Sequence, residues 1–127
     1  MAAPQSVSRP SALVVDDEPV LLQLMARALS SAYVVHTATN ALQALEIAGD
    51  LPNGPAILVT DLRMDPVNGA DLAKLVAGKW PSTRVLFVSG FDNEHPDLAG
   101  PLLRKPFSPA QLVEAVSQVL SAPSQGH

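Results

Sequence analysis

The sequence contains no cysteine, which excludes disulfide bonds and thiolate metal sites and is consistent with a reducing compartment. It also lacks any apolar run close to the roughly 20 residues that a membrane-spanning helix needs. Residues 1–10 lack the apolar stretch of a signal peptide. These absences predict a cytoplasmic domain that does not enter a membrane.

Basic residues are also scarce, because eight Lys and Arg stand against twelve Asp and Glu, giving a net charge of −4. This balance argues against direct nucleic-acid binding, since phosphate backbones select basic surfaces. Apolar residues form 47% of the 127 residues, enough for one domain with a packed core. We expect that domain to span residues 12–121, between flexible tails at residues 1–11 and 122–127.

Five short apolar runs alternate with segments of helical periodicity along the chain. The runs predict strands at residues 12–15, 33–37, 56–60, 85–88 and 102–103. Three of them are nearly continuous apolar strings, which is typical of strands buried on both faces of a parallel sheet. The alternation therefore predicts an α/β fold with a doubly wound parallel sheet.

Four segments have the periodicity of amphipathic helices. Pro19 is suited to the first turn of one, Asn40 to the N-cap of another, and Ser108 to a capping box at the start of the last. Gly78 is predicted to end the third helix. The expected apolar stripes are Leu21, Leu24, Met25, Ala28 and Leu29; Leu42, Leu45 and Ala48; Leu72, Leu75 and Val76; and Leu112, Val116, Val119 and Leu120.

The connection between the fourth and fifth strands is unusually short. Residues 90–101 contain two glycines and two prolines, and a dozen residues are too few for a full crossover helix with its loops. We therefore expect the helix at this point to be short or missing.

Acidic residues directly follow two of the predicted strands. Asp16 and Asp17 come after the first strand, and Asp61 comes after the third. Ligands bind at the carboxyl ends of the strands in open parallel sheets, and clustered carboxylates raise one another's pKa unless a cation is near. A donor set of oxygen atoms alone favours a hard cation such as Mg²⁺.

Ser89 and Lys105 end the fourth and fifth strands, and they offer a hydroxyl and an ammonium group at the same edge of the sheet. A carboxylate nucleophile, a divalent ion, an ammonium group and a hydroxyl are what phosphoryl transfer requires, because its catalysis is positioning plus charge neutralisation.

The sequence resembles the receiver domain of two-component response regulators over about residues 11–121. The matching motifs are VVDDEP at residues 14–19, TDLRM at 60–64, NG at 68–69, SG at 89–90 and KPF at 105–107. Each motif alone is weak, but in this order, with the acidic, SG and KPF motifs at strand ends, they are specific. The resemblance implies a flavodoxin-like five-stranded parallel sheet with strand order 2-1-3-4-5.

The resemblance also implies that Asp61 is the phosphoacceptor. The donor would be a phosphohistidine on a histidine kinase or a histidine phosphotransfer protein, and an unidentified protein would receive the signal. Mg²⁺ would be bound by Asp17, Asp61 and the backbone carbonyl of Arg63, with Asp16 acting through water. Such a domain is not an enzyme beyond its own phosphorylation and slow autodephosphorylation.

Further roles are implied by the same resemblance. Lys105 would pair with the acceptor or the phosphoryl oxygens, and Ser89 would be the hydroxyl that moves to bond the phosphoryl group. Arg63 and Phe91 occupy positions that tune the lifetime of the phosphorylated state. The peptide bond between Lys105 and Pro106 is typically cis in the family.

The sequence departs from the family in three places. Leu102 stands where the family has a switch aromatic, Asp65 separates Met64 from Pro66, and residues 90–101 are shortened. These differences leave the chemical site intact and alter the surface commonly used for output.

Three alternatives remain open. The chain could be a receiver-shaped protein-binding adaptor that no longer cycles phosphate, which Leu102 and the short connection favour. It could be a small Mg²⁺-dependent phosphohydrolase, although Arg63 stands where such enzymes need a second acid. The third alternative is nucleotide binding, but the sequence has no glycine-rich phosphate loop after the first strand. His36, His95 and His127 have no spacing suited to a metal site.

Overall fold

The computed structural model describes residues 9–90, 98 and 100–122. Its five strands are β1 (Ser11–Val15), β2 (Val34–Ala38), β3 (Ile57–Asp61), β4 (Arg84–Ser89) and β5 (Leu102–Arg104). They pair in parallel as one sheet in the order β2-β1-β3-β4-β5. The predicted flavodoxin-like arrangement is confirmed.

Four helices in the described residues cover the two faces of this sheet. They are α1 (Pro19–Leu29), α2 (Ala41–Gly49), α3 (Gly69–Lys79) and α4 (Pro109–Ser121). The core on the side of α2 and α3 takes from the strands Leu13, Val15, Ala38, Leu58, Val85 and Phe87. The core on the side of α1 and α4 takes Ala12, Val14, Ile57, Val59, Leu86 and Val88. Successive strand residues thus alternate between two cores, as the pleat requires.

Side-chain caps fix the starts of α2, α3 and α4. The Asn40 Oδ1 accepts a hydrogen bond from the Gln43 N–H at 2.8 Å, as predicted. Ser108 and Gln111 form the predicted capping box, with bonds of 2.8 and 3.1 Å. Each cap contributes about 1 kcal/mol by the general rule.

The prediction that Gly78 ends the third helix is wrong. Helix α3 continues to Lys79, and the Trp80 N–H closes it by donating to the Val76 carbonyl at 2.7 Å. A glycine ends a helix where it takes a positive φ, and Gly78 does not have one.

The predicted apolar stripes are partly wrong, because three of their leucines face solvent. Leu24, Leu42 and Leu75 are 53%, 70% and 48% exposed. In α2 the buried residues are Ala48, as predicted, and Ala41 and Ala44, which the predicted stripe does not include. These small side chains let the helix backbone approach the sheet, so the bulkier Leu42 turns outward while Leu45 stays packed against the core.

The connection from β4 to β5 is described only at its ends. Residues 91–97 and 99 lie outside the described residues, and with them the prediction of a short or missing helix and the Phe91 and His95 positions. The Lys105–Pro106 peptide bond is cis, as the resemblance implied, and the Asp65–Pro66 bond is cis as well. No helix in the described part of the chain is both long and apolar enough to cross a bilayer.

Substitution of Gly69 tests how closely the start of α3 packs against the end of β3. A Cβ at Gly69 would collide with the Asp61 carbonyl oxygen, whereas a Cβ at Gly78 in the same helix would meet nothing within 4 Å. We expect Gly69→Ala to lower the free energy of unfolding by about 1–3 kcal/mol, since neither backbone segment can yield easily. Urea denaturation measures this change.

Gly78→Ala is the matched control. It should raise the free energy of unfolding by up to about 1 kcal/mol, because alanine is the better helix former. Equal stability of the Gly69→Ala variant and the wild type would contradict the close approach of α3 to Asp61.

Candidate functional site

The sheet order places the predicted functional residues at one edge. In the β1–β3 register Val15 is opposite Thr60, so Asp16 and Asp61 are the next residues on two adjacent strands. On the other side of β3, Asp61 is opposite Val88, the residue before Ser89. The Lys105 N–H donates to the Ser89 carbonyl at 2.8 Å, which anchors the residue after β5 to the end of β4.

The three acidic residues form one cluster. One carboxylate oxygen from each of Asp16, Asp17 and Asp61 lies within 4.8 Å of the other two. Asp16 is completely buried, Asp61 is 6% exposed, and Asp17 is exposed. The cluster therefore extends from the interior of the domain to its surface.

Lys105 supplies the positive charge that the cluster needs. Its Nζ lies 3.2 Å from Asp16 Oδ2, to which it donates a hydrogen bond, and 3.4 Å from Asp61 Oδ2. Burial by itself lowers the pKa of Lys105, but the two carboxylates outweigh burial and the net shift is upward. One ammonium group against three carboxylates still leaves the cluster anionic.

Burial is the main cause that raises the pKa of Asp61 above its ordinary value. Lys105 opposes this shift, the Asp16 charge adds to it, and the Arg63 N–H opposes it by donating to Asp61 Oδ1 at 3.4 Å. Ionised Asp61 is therefore costly in the protein alone, and a further cation would favour its charged form.

Backbone contacts hold the two buried carboxylates in place. The Glu18 N–H donates to Asp16 Oδ1 at 2.9 Å, while Lys105 bonds the other oxygen. The Leu62 N–H donates to the Val88 carbonyl at 3.0 Å, which fixes the chain directly after Asp61. These bonds leave the side chains little freedom to move apart.

Ser89 and Arg63 lie where their sequence positions predict. Ser89 is the last residue of β4 and is 1% exposed, opposite Arg104 and so beside Lys105. Arg63 is exposed two residues after Asp61, and its backbone N–H faces the Asp61 carboxylate. A Cβ at Gly90 would make only ordinary contacts with Lys105, at 3.7 and 3.8 Å, so the space at this position does not require glycine.

Two residues that position Asp61 have no assigned role in the sequence analysis. The Thr60 Oγ1 donates to the Asp61 carbonyl at 3.0 Å, and the Gly69 backbone packs against that same carbonyl. A threonine before a strand-end aspartate is a weak signal. The glycine lies in the NG motif, but its contact with Asp61 joins two different elements and depends on how α3 docks.

The donor set fits Mg²⁺. Ligand oxygens lie about 2.0–2.1 Å from this ion, so two of them on one ion are at most about 4.2 Å apart. One oxygen from each of the three carboxylates lies within 4.8 Å of the others, an upper bound close to that value. With bound water bridging to one of them, as Mg²⁺ commonly allows, the cluster needs little rearrangement.

Comparison with known proteins gives several relatives. Sensor kinase CckA of Brucella abortus is 34% identical over 115 residues, covering 85% of this chain and 12% of that protein. The photosynthetic apparatus regulatory protein RegA of Cereibacter sphaeroides is 32% identical over 82 residues, covering 64% of this chain and 44% of that protein. The chain thus spans less than half the length of both curated relatives.

Solved structures show the same fold. A response regulator receiver protein from Sinorhizobium medicae superimposes with a TM-score of 0.76 at 30% identity, covering 90% of this chain and 96% of that chain. A CheY-like receiver domain protein from Methanospirillum hungatei has a TM-score of 0.80 at 21% identity, covering 89% of this chain and 94% of that chain.

The family model of the response regulator receiver domain matches residues 12–117. That match contains the acidic cluster, Ser89 and Lys105, all at the strand ends where the sheet brings them together. The chain therefore belongs to the receiver domain family of two-component response regulators.

Proposed function

We propose that this receiver domain accepts a phosphoryl group on Asp61 from a phosphohistidine of a histidine kinase or histidine phosphotransfer protein. The observation that carries the proposal is the Lys105 ammonium group, which bonds to buried Asp16 and Asp61 together while Asp17 opens the cluster to solvent. This arrangement neutralises part of the charge and leaves an accessible side for a donor.

In the proposed reaction, a carboxylate oxygen of Asp61 attacks the phosphorus of the donor in line. An oxygen–phosphorus bond forms, the phosphorus–nitrogen bond breaks, and the histidine leaves with the electron pair of that bond. Lys105 offsets charge on the transferring oxygens, because its Nζ already lies 3.4 Å from Asp61 Oδ2. Ser89 supplies a hydroxyl at the adjacent strand end.

Mg²⁺ is the cofactor of this proposal, and it would be held by Asp17, Asp61 and the backbone carbonyl of Arg63, with Asp16 acting through water. When bound it neutralises charge on the phosphoryl oxygens. Its binding would also favour ionised Asp61, which burial disfavours in the protein alone. Binding of Mg²⁺ and ionisation of Asp61 would therefore favour each other.

We also propose the bounds of the domain, its location in the cell and the kind of target it acts on. The signalling unit would be residues 12–121, acting in the cytoplasm on an unidentified protein target without direct contact to nucleic acid. The domain would show only slow autodephosphorylation and no turnover of external phosphate esters, since the exposed Arg63 stands where a phosphohydrolase has an acid. An adaptor without phosphate cycling is disfavoured by the complete cluster and its bonded lysine.

Phosphorylation of the wild type and Asp61→Asn tests the acceptor. Incubation with acetyl phosphate and Mg²⁺ should add one phosphoryl group to the wild type, and intact-mass spectrometry should find none on Asp61→Asn, because an amide is not a nucleophile for this step. Asp50→Asn, an exposed carboxylate at the end of α2, is the control and should be labelled like the wild type. Labelling that survives in Asp61→Asn would overturn the assignment of the acceptor.

Magnesium titration tests the cluster independently of phosphorylation. In isothermal titration calorimetry, Asp17→Asn should weaken Mg²⁺ binding by about tenfold or more, since it removes a charged ligand. Asp50→Asn should bind Mg²⁺ as the wild type does. Equal affinities for Asp17→Asn and the wild type would place the ion elsewhere.

The raised pKa of Asp61 predicts a pH-dependent stability difference in the absence of metal. A carboxyl with a raised pKa in the folded state stabilises the protein while protonated, and this contribution is lost as pH rises through that pKa. Asp61→Asn should therefore stabilise the protein more at about pH 7 than at about pH 4, near the ordinary Asp pKa. Urea denaturation in a chelating buffer measures the stability difference at both pH values, and a difference that does not grow from about pH 4 to about pH 7 would contradict the raised pKa.

A further inference from the structure

Two buried threonine hydroxyl groups have no part in the proposed reaction. The buried polar or charged side chains of the described residues are Asp16, Asp61, Ser89, Thr60 and Thr83, and the first three belong to the functional site. Thr60 directly precedes the acceptor Asp61, whereas Thr83 directly precedes β4, at the opposite end of the sheet. A buried hydroxyl is costly unless it is hydrogen-bonded, so the partner of each one shows what it does in the fold.

The Thr60 side chain lies in an apolar part of the core. It is completely buried, and its register partners, Val15 on β1 and Phe87 on β4, both belong to the core on the side of α2 and α3. A valine would fill such a strand position with the same shape and without a polar atom to satisfy. Packing therefore does not explain the hydroxyl, which donates to the Asp61 carbonyl oxygen at 3.0 Å.

The Asp61 carbonyl receives no other hydrogen bond from the described residues. The backbone of Gly69 packs directly against this oxygen, but the Gly69 N–H donates elsewhere, to the Leu62 carbonyl at 3.0 Å. The Asp61 carbonyl is therefore enclosed by the start of α3 and satisfied by Thr60 alone. Without the hydroxyl it would be a buried acceptor lacking a partner, which the chain relieves by turning the peptide group.

That peptide group belongs to the same residue as the nucleophile. The carbonyl carbon and the side chain of Asp61 share one Cα, so a rotation at this carbonyl redirects the carboxylate as well. The chain beyond it is held in place, because the Leu62 N–H is bonded to the Val88 carbonyl at 3.0 Å. A small error in the approach of a nucleophile is enough to slow its reaction.

We propose that Thr60 is a positioning residue for the phosphorylation of Asp61. Its hydroxyl fixes the Asp61 backbone so that the carboxylate points at the phosphorus of the donor, and it acts from the core without touching the phosphoryl group. The inference rests on the proposed function of Asp61 and adds to it a group whose effect is on the rate of transfer.

The initial rate of labelling by acetyl phosphate at saturating Mg²⁺ tests this role, measured by intact-mass spectrometry. Thr60→Val replaces the hydroxyl by a methyl group and should be labelled about tenfold more slowly than the wild type. Thr60→Ser and Thr60→Ala both remove the methyl group and differ only in the hydroxyl. Thr60→Ser should stay within about threefold of the wild type, and Thr60→Ala should be about as slow as Thr60→Val.

Thr83→Val is the matched control for the loss of a buried hydrogen bond. The Thr83 Oγ1 donates to the Pro55 carbonyl at 2.6 Å, at the end of the sheet where residues of α3, β4, β5 and α4 line an apolar cleft. The same chemical change there is distant from Asp61 and should leave the labelling rate within about twofold of the wild type. Urea denaturation verifies that each variant is folded under the conditions of the assay.

The other outcomes overturn the inference. Labelling of Thr60→Val at the wild-type rate, equal slowing in Thr83→Val, or a Thr60→Ser variant as slow as Thr60→Ala would each show that the hydroxyl does not position the acceptor. A wild type that gains no phosphoryl group would instead overturn the proposed function, and this inference with it.

Discussion

The contact of Lys105 with two buried carboxylates is the interaction on which the site depends. Asp16 and Asp61 end adjacent strands, and without a cation their proximity would oppose the close pairing of β1 and β3. Lys105 directly follows β5, the outer strand, so its ammonium group links that strand to the ends of the central strands β1 and β3. The remaining negative charge is what makes the same place suited to a divalent ion and a phosphoryl group.

Parallel topology gives the two ends of the sheet different chemistry. All five strands finish at the same end of the sheet, where turns carry polar side chains. All five begin at the opposite end, where the apolar cleft is bordered by α3, β4, β5 and α4. The acidic cluster and the cleft therefore lie at opposite ends of the sheet.

Much of the fold follows from local signals, and the errors have local causes. Continuous apolar runs identified the strands because β1 and β3 are buried on both faces, and caps such as Asn40 are complete within four residues. The predicted orientation of Leu42 was wrong because α2 has apolar residues on two faces. Only packing against the sheet decides which of these faces is buried. Gly78 was misjudged because composition does not reveal φ.

The sequence by itself determined which groups the site contains, since Asp16, Asp17, Asp61, Ser89 and Lys105 each directly follow or end a recognisable strand. Only the tertiary structure decided how they meet. Lys105 reaches Asp16 across 89 residues of sequence, and Gly69 supports the Asp61 carbonyl from another element. Strand order and helix docking set these distances, and they arise from packing summed over the whole core rather than from any one segment. The cleft also depends on the tertiary structure, because its lining residues come from elements that are brought together only in the folded chain.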